Sequence, residues 1–341
     1  MKHILKEPVN AMSIEADATV DRFAEQLSEL SFQARNLGGA VDIWERMVED
    51  ETLIFFGLAG AMVPAGMRMV VSFLIENRFI DCLVSTGANL YHDCHETLGY
   101  FHWRGSPGED DLKLKDQSID RIYDTYASET EFRRTDEFIS YFAREVPQNK
   151  PLTTREFLHL LGKKLAESAD NEGILSSAYK AGIPVYCPAL ADSAIGISMA
   201  VGKNRGESNV VFDILADVLE TARLAASSRT GVVYIGGGVP KNFIQQSEVT
   251  TSVLGATETG HQYAIQVITD PPHWGGLSGC TFAEAQSWGK IAKKALKVTV
   301  YSDATIALPL IATALATRRK DNLAERKLPR FRMGRSLEVS F

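Results

Sequence analysis

The chain has no GxGxxG turn, the usual phosphate-binding signature of a dinucleotide fold, so any nucleotide it binds must be held by another loop. Cysteine is scarce. Cys82, Cys94, Cys187 and Cys280 are scattered through 341 residues with no CxxC pair, which argues against a disulfide scaffold and for reduced thiols. No basic excess exists either: a net charge of −7 argues against nucleic acid as the main partner. Long apolar runs are missing. The longest late one, 304–317, carries no charge but contains Pro309 and falls short of the ~20 residues that span a bilayer. Residues 1–8 lack the apolar core of a secretory signal. No internal repeat or low-complexity tract is visible. These absences lead us to expect a soluble, cytoplasmic protein with neither a membrane nor a nucleic-acid partner.

What remains is ordinary globular material, 45% hydrophobic and 23% charged. Residues 1–40 read as an N-terminal helical extension, with apolar residues at helical spacing over 20–32 and Gly38-Gly39 closing it. Residues 41–341 read as a single α/β domain. Strands are expected at 52–57, 82–85, 185–187, 231–235, 263–268 and 297–301, and helices between them, such as 65–77, 210–227 and 282–295. Such alternation predicts a Rossmann-like α/β fold, a parallel sheet with helices on both faces. Charge-rich 104–121 and 129–137 read as an irregular solvated excursion, and the basic tail 318–335 as a surface helix or subunit contact.

In a sheet of this kind ligands bind at the carboxyl ends of the strands. Four of those ends carry small or oxygen-bearing residues: Ser85-Thr86-Gly87, Gly236-Gly237-Gly238, Thr269-Asp270 and Ser302-Asp303-Ala304. Small residues admit a ligand to the backbone, while hydroxyls and carboxylates bond a ribose or a phosphate. The glycine-rich turn 57–66 suits either a phosphate or tight packing. Asp192 suits either a ribose contact or the N-cap of a helix over 193–201. His92-Asp93-Cys94-His95, followed by His102, has metal-ligand chemistry, and His92 and His95 at i, i+3 can share a helical face. Since no distant cluster completes a ligand set, we expect hydrogen bonding or substrate contact there, and no metal.

Ser287-Trp288-Gly289-Lys290 is the stretch with the most chemistry in it. A lysine attacks carbonyls or imines only as the neutral amine, a form favoured beside apolar or aromatic walls. Trp288 offers such a wall and Gly289 lets a ligand approach. On composition alone, a solvated lysine on a helix over 285–296 is the competing reading.

Together with Gly236-Gly237-Gly238-Val239-Pro240-Lys241 and Cys187-Pro188-Ala189-Leu190-Ala191-Asp192, this stretch resembles the deoxyhypusine synthase family, over about 57–318. The resemblance implies an NAD-dependent transferase in which Lys290 is the covalent nucleophile. It implies cofactor contacts at Ser85, Thr86, Gly87, Asp192, Gly238, Thr269, Asp270, Asp303 and Ala304. It also implies a homotetramer with active sites at dimer interfaces, where an N-terminal helix can cover a neighbouring site. In the implied reaction NAD takes a hydride from an amine-bearing carbon and Lys290 captures the resulting imine. A second amine then accepts the alkyl group and the hydride returns.

At positions where the family reads a cationic polyamine, the chain departs from the pattern. It has His92 for a glutamate, Ile197 and Leu277 for aspartates, and Asn242 for a histidine, while Glu284 and Trp288 match. Each lost carboxylate removes a charge-assisted bond of ~1.5–3 kcal/mol. We therefore expect a small amine substrate with one fixed positive charge or a guanidinium, met by His92, Asn242, Glu284 and Trp288, in place of spermidine. Deoxyhypusine synthesis, homospermidine formation and non-catalytic NAD or metabolite binding are the alternatives.

Overall fold

The computed structural model describes residues 7–256, 260–320 and 326–341; the first six residues of the expected extension and 321–325 of the expected tail lie outside them. Eleven strands are described. In chain order they are β1 (Leu53–Leu58), β2 (Cys82–Ser85), β3 (His102–Arg104), β4 (Ile119–Ile122), β5 (Thr125–Ser128), β6 (Val185–Tyr186), β7 (Thr230–Ile235), β8 (His261–Ile268), β9 (Ile291–Tyr301), β10 (Arg330–Met333) and β11 (Leu337–Ser340). Six of them form one parallel sheet in the order β6-β2-β1-β7-β8-β9. Each includes a segment expected as a strand. Both faces are covered by helices, so the fold is the Rossmann-like α/β architecture.

Every residue of β1 and β7 is buried, as a central parallel strand between two helical layers requires. Alternation along β1 sends Ile54, Phe56 and Leu58 into one core with Trp44 and Leu74. Leu53 and Phe55 go into the other, with Tyr186, Tyr234 and Ile244. The chain steps outward from β1 through β2 to β6, then returns to lay β7 beside β1 and steps outward the other way. The reversal falls between β1 and β7, the position at which sheets of this order hold their ligands.

Four local expectations are corrected. The helix expected over 282–295 spans only Phe282–Ser287. Gly289 (φ +70°) ends its turn, and from Ile291 the chain pairs with β8 as an edge strand. Gly38-Gly39 does not close a helix but lies inside Phe32–Glu49. A Cβ on Gly38 would sit 2.7 Å from the Ala24 carbonyl oxygen, so the glycine lets the Val20–Ser28 helix cross closely. Residues 129–137 belong to a regular helix, Glu129–Glu145, capped by the Ser128 hydroxyl and burying Ile139 and Phe142. In place of a surface helix, the tail forms the β10–β11 hairpin, preceded by Arg326, which donates to the buried Asp81 carboxylate and to the Thr52 carbonyl. Among the described residues no helix is long and apolar enough to cross a membrane.

Candidate active site

At the carboxyl ends of β1, β7, β8 and β9 lies a cleft of about 330 Å³. Gly238, Thr269, Asp270, Asp303 and Ala304, all expected at a cofactor site, line it, together with Gly60 and Ser278. The glycine turn has a steric origin. Gly236 and Gly238 have φ of +75° and +60°, and a Cβ on Gly237 would meet Ser278 Cα at 2.5 Å. The Gly238 amide donates to Ser278 Oγ at 3.0 Å, and the Gly238–Val253 helix starts there, its positive end towards the cleft. Asp303 Oδ1 accepts from the Thr305 amide at 2.7 Å, so it also caps the Ala304–Arg318 helix.

Ser85, Thr86 and Gly87 stand one strand away, at the end of β2. Asn89 ties that end to the turn after β1: its Nδ2 donates to the Gly60 carbonyl (2.9 Å) and to Thr86 Oγ1 (3.1 Å), and its Oδ1 accepts from the Val63 amide. The 57–66 turn is thereby pinned against β2. Gly87 faces Ser193, where an added Cβ would lie 2.4 Å from Oγ. Ser193, not Asp192, caps the Ala194–Asn204 helix, which leaves the exposed Asp192 carboxylate without the capping role that was its alternative.

Lys290 is buried, with 8% of its surface accessible. Its Nζ lies 3.4 Å from Asn242 Oδ1 and 5.5 Å from the centre of the Trp288 ring. Glu284 belongs to the short helix just before it, capped by Thr281. A second lysine here, read in the sequence only as the end of the Gly236–Lys241 motif, has a role the sequence did not disclose. Lys241 is fully buried and donates to Cys280 O (2.7 Å), Gln266 Oε1 (3.0 Å) and Ser278 O (3.1 Å). Burial pulls its amine down to about 8. Gln266 also donates to the Gly236 and Ser278 carbonyls, so Lys241 and Gln266 brace the cleft wall from behind. The available signals were a lysine directly after a glycine–proline run and a glutamine inside the apolar stretch 263–268.

His92 is elsewhere in the same chain. The segment 92–95 splits: Asp93 accepts from the Ile174 and Leu175 amides and Cys94 enters the core, so neither joins the histidines. His92 Nδ1 lies 2.9 Å from His102 Nε2, and His102 Nδ1 lies 2.7 Å from Glu96 Oε1. Burial, with His102 and His95 adding to it, lowers His92 to about 3; burial and then His102 lower His95 to about 4. Among the described residues no group of three or more candidate ligands is arranged to hold a metal. The His92 helix packs on Ala194–Asn204, which carries Ile197. The structure thus brings Lys290, Asn242, Glu284 and Trp288 together on one face and leaves His92 and Ile197 on a separate pair of helices.

A family model for deoxyhypusine synthase matches residues 22–315. Two proteins of Methanosarcina acetivorans are similar along nearly their whole length. "Probable deoxyhypusine synthase 2" is 51% identical over 89% of this chain and 88% of its own. "Probable deoxyhypusine synthase 1" is 43% identical over 92% of this chain and 96% of its own. Among solved structures, a "putative deoxyhypusine synthase from Entamoeba histolytica" superposes with a TM-score of 0.62 at 16% identity, over 90% of this chain and 96% of that one, a likeness of fold.

Proposed function

We propose that this chain, which belongs to the deoxyhypusine synthase family of transferases, moves an aminoalkyl group between amines, with NAD as cofactor and Lys290 as covalent nucleophile. The observation that carries the reading is the Lys290 amine, buried beside an indole and, among the described residues, hydrogen-bonded to one neutral group, Asn242. A structural lysine would be tied down, as Lys241 is.

The glycine-walled cleft fits NAD. Gly237 leaves no room for a side chain, the Gly238–Val253 helix offers its N-terminus to a pyrophosphate, and Asp270 and Asp303 offer acceptors to hydroxyls. Gly238, Thr269, Asp270, Asp303 and Ala304 would hold the cofactor, with Ser85, Thr86, Gly87 and Asp192 along its rim. NAD supplies the hydride acceptor that makes the donor carbon electrophilic, and the hydride that later returns. The Lys290 amine attacks that carbon, releases the first amine and retains the alkyl group until an acceptor amine displaces it. Glu284 and the Trp288 face would hold one cationic end, the ring contributing ~0.5–2 kcal/mol.

The site is proposed to be completed in a cytoplasmic homotetramer. Trp288 (65% exposed) beside Lys290, with Trp274 (78%) and Leu277 (43%) exposed in the segment between β8 and the Glu284 helix, offers apolar surface suited to cover by a second copy. The separate face bearing His92 and Ile197 would come from the partner. Residues 41–341 act as one domain, and the extension before them reaches a neighbouring site.

Ile197, 62% exposed, and Leu277 offer methyl groups, so the substrate carries one fixed positive charge or a guanidinium. The test is to mix the protein with NAD and candidate amines and follow reduced nicotinamide by absorbance. Amine-dependent reduction is expected, and its absence across spermidine, putrescine, agmatine and amino-acid-derived amines would refute the reading.

A further inference from the structure

The Arg68 guanidinium pairs with Glu96, its Nε 2.8 Å from Oε2, so this carboxylate is held in place by charge and its other oxygen meets His102 Nδ1. A carboxylate only accepts, which puts the hydrogen on His102 Nδ1. When His102 is neutral, this one N–H leaves the lone pair on its Nε2, 2.9 Å from His92 Nδ1, and Nε2 accepts from His92. The lone pair of His92 is then on Nε2. Packing fixes the ring: Phe132 meets it edge-on at 5.5 Å and Tyr91 at 5.8 Å. His95 does not compete, because its Nδ1 pairs with Thr135 Oγ1 at 3.0 Å. Burial, helped by His102 and His95, keeps His92 neutral. The ring is only partly buried, and among the described residues nothing bonds its Nε2. Its helix starts at the carboxyl end of β2, where Asn89 bonds Gly60 on the cleft wall.

We propose that Glu96 and His102 are positioning residues that lock His92 in one tautomer, so that its Nε2 accepts an N–H from an amine or guanidine nitrogen of the substrate. The inference rests on the transferase reading above. A neutral acceptor selects a donor by the direction of its hydrogen and adds no negative charge. It therefore suits a substrate end that is not a paired ammonium.

Glu96→Gln tests the lock. Arg68 retains the carboxamide oxygen and turns the NH₂ towards His102 Nδ1, which reverses both downstream bonds and leaves His92 Nε2–H a donor facing a donor. In full-length protein with ¹⁵N-labelled histidine, wild-type His92 Nε2 should show the shift of an unprotonated nitrogen, and in Glu96→Gln that of a protonated one. KM for agmatine should rise about tenfold or more, with NAD affinity unchanged. His92→Ala should show a similar rise, and the double variant should add little to it. A protonated Nε2 in the wild type, or an unmoved KM in Glu96→Gln, overturns the proposal. If the wild type turns over no amine, calorimetric agmatine affinity replaces KM. An unmoved Kd then overturns the lock, while the NMR result stands apart from the fate of the transferase reading.

Discussion

Lys290 Nζ lies 3.4 Å from Asn242 Oδ1, whereas Lys241, the chain neighbour of Asn242, turns its amine away to Gln266, Ser278 and Cys280. Two buried lysines thus meet at one helix and divide their work. The one with three partners braces the cleft wall; the other has, among the described residues, one neutral partner, and it is the proposed nucleophile.

Lys290→Arg is expected to retain the fold and NAD affinity but to lose transfer by a factor of ~10³ or more, since a guanidinium is not a nucleophile at neutral pH. Steady-state rates beside calorimetric NAD binding check this. Near-native turnover in that variant would remove Lys290 from the chemistry.

Lys241→Met should act on stability. Gln266 Oε1 and the Cys280 carbonyl would lose this donor, while the Ser278 carbonyl keeps Gln266 Nε2, at a cost of ~2–4 kcal/mol in all. Urea denaturation measures the loss, and a change below ~1 kcal/mol would show that the amine does not brace the wall.

Asp303 serves two roles that substitutions can separate. Asp303→Ala removes the helix cap as well as the carboxylate, costing ~1 kcal/mol of stability, while Asp303→Asn keeps a capping oxygen. Both variants should bind NAD more weakly, and only the alanine variant should melt earlier. Undiminished NAD affinity in Asp303→Asn would dismiss the charge of Asp303 from cofactor binding.

Acid should weaken the fold through His95. Its folded value is lowered to about 4, chiefly by burial and then by His102, against ~6.5 when unfolded. As pH falls from ~6.5 towards ~4, the unfolded chain takes up a proton that the folded one refuses, so stability falls by up to about 3 kcal/mol. His92 acts in the same direction. Asp93 and Asp217, raised by burial to about 6, act oppositely, because the folded state binds their protons first. Denaturation across that window should give His95→Gln a shallower loss than wild type. Parallel curves would contradict the assignment.

Much of the fold was legible because a buried parallel strand is a short apolar run, and residues 82–85 illustrate it: the expected strand is the observed β2. The stretch 291–296 misled because Ala, Lys and Leu favour a helix, yet pairing with β8 outweighs that preference. Gly38-Gly39 looked like a helix stop, since sequence alone does not show the helix that crosses there. In the site, Gly238, Thr269, Asp270, Asp303 and Ala304 were legible as small or oxygen-bearing residues after strands. The roles of Lys241, Gln266, Glu96 and His102 were not, because each depends on partners distant in sequence or on which ring nitrogen faces which neighbour.

The most direct test is borohydride trapping of the full-length protein with NAD and a panel of amines, followed by mass mapping of the labelled peptide. An adduct is expected on Lys290 that requires both NAD and amine, forms with a singly charged amine or agmatine in preference to spermidine, and is absent from Lys290→Arg. No adduct with any amine, or an adduct on Lys241 in place of Lys290, would contradict that expectation.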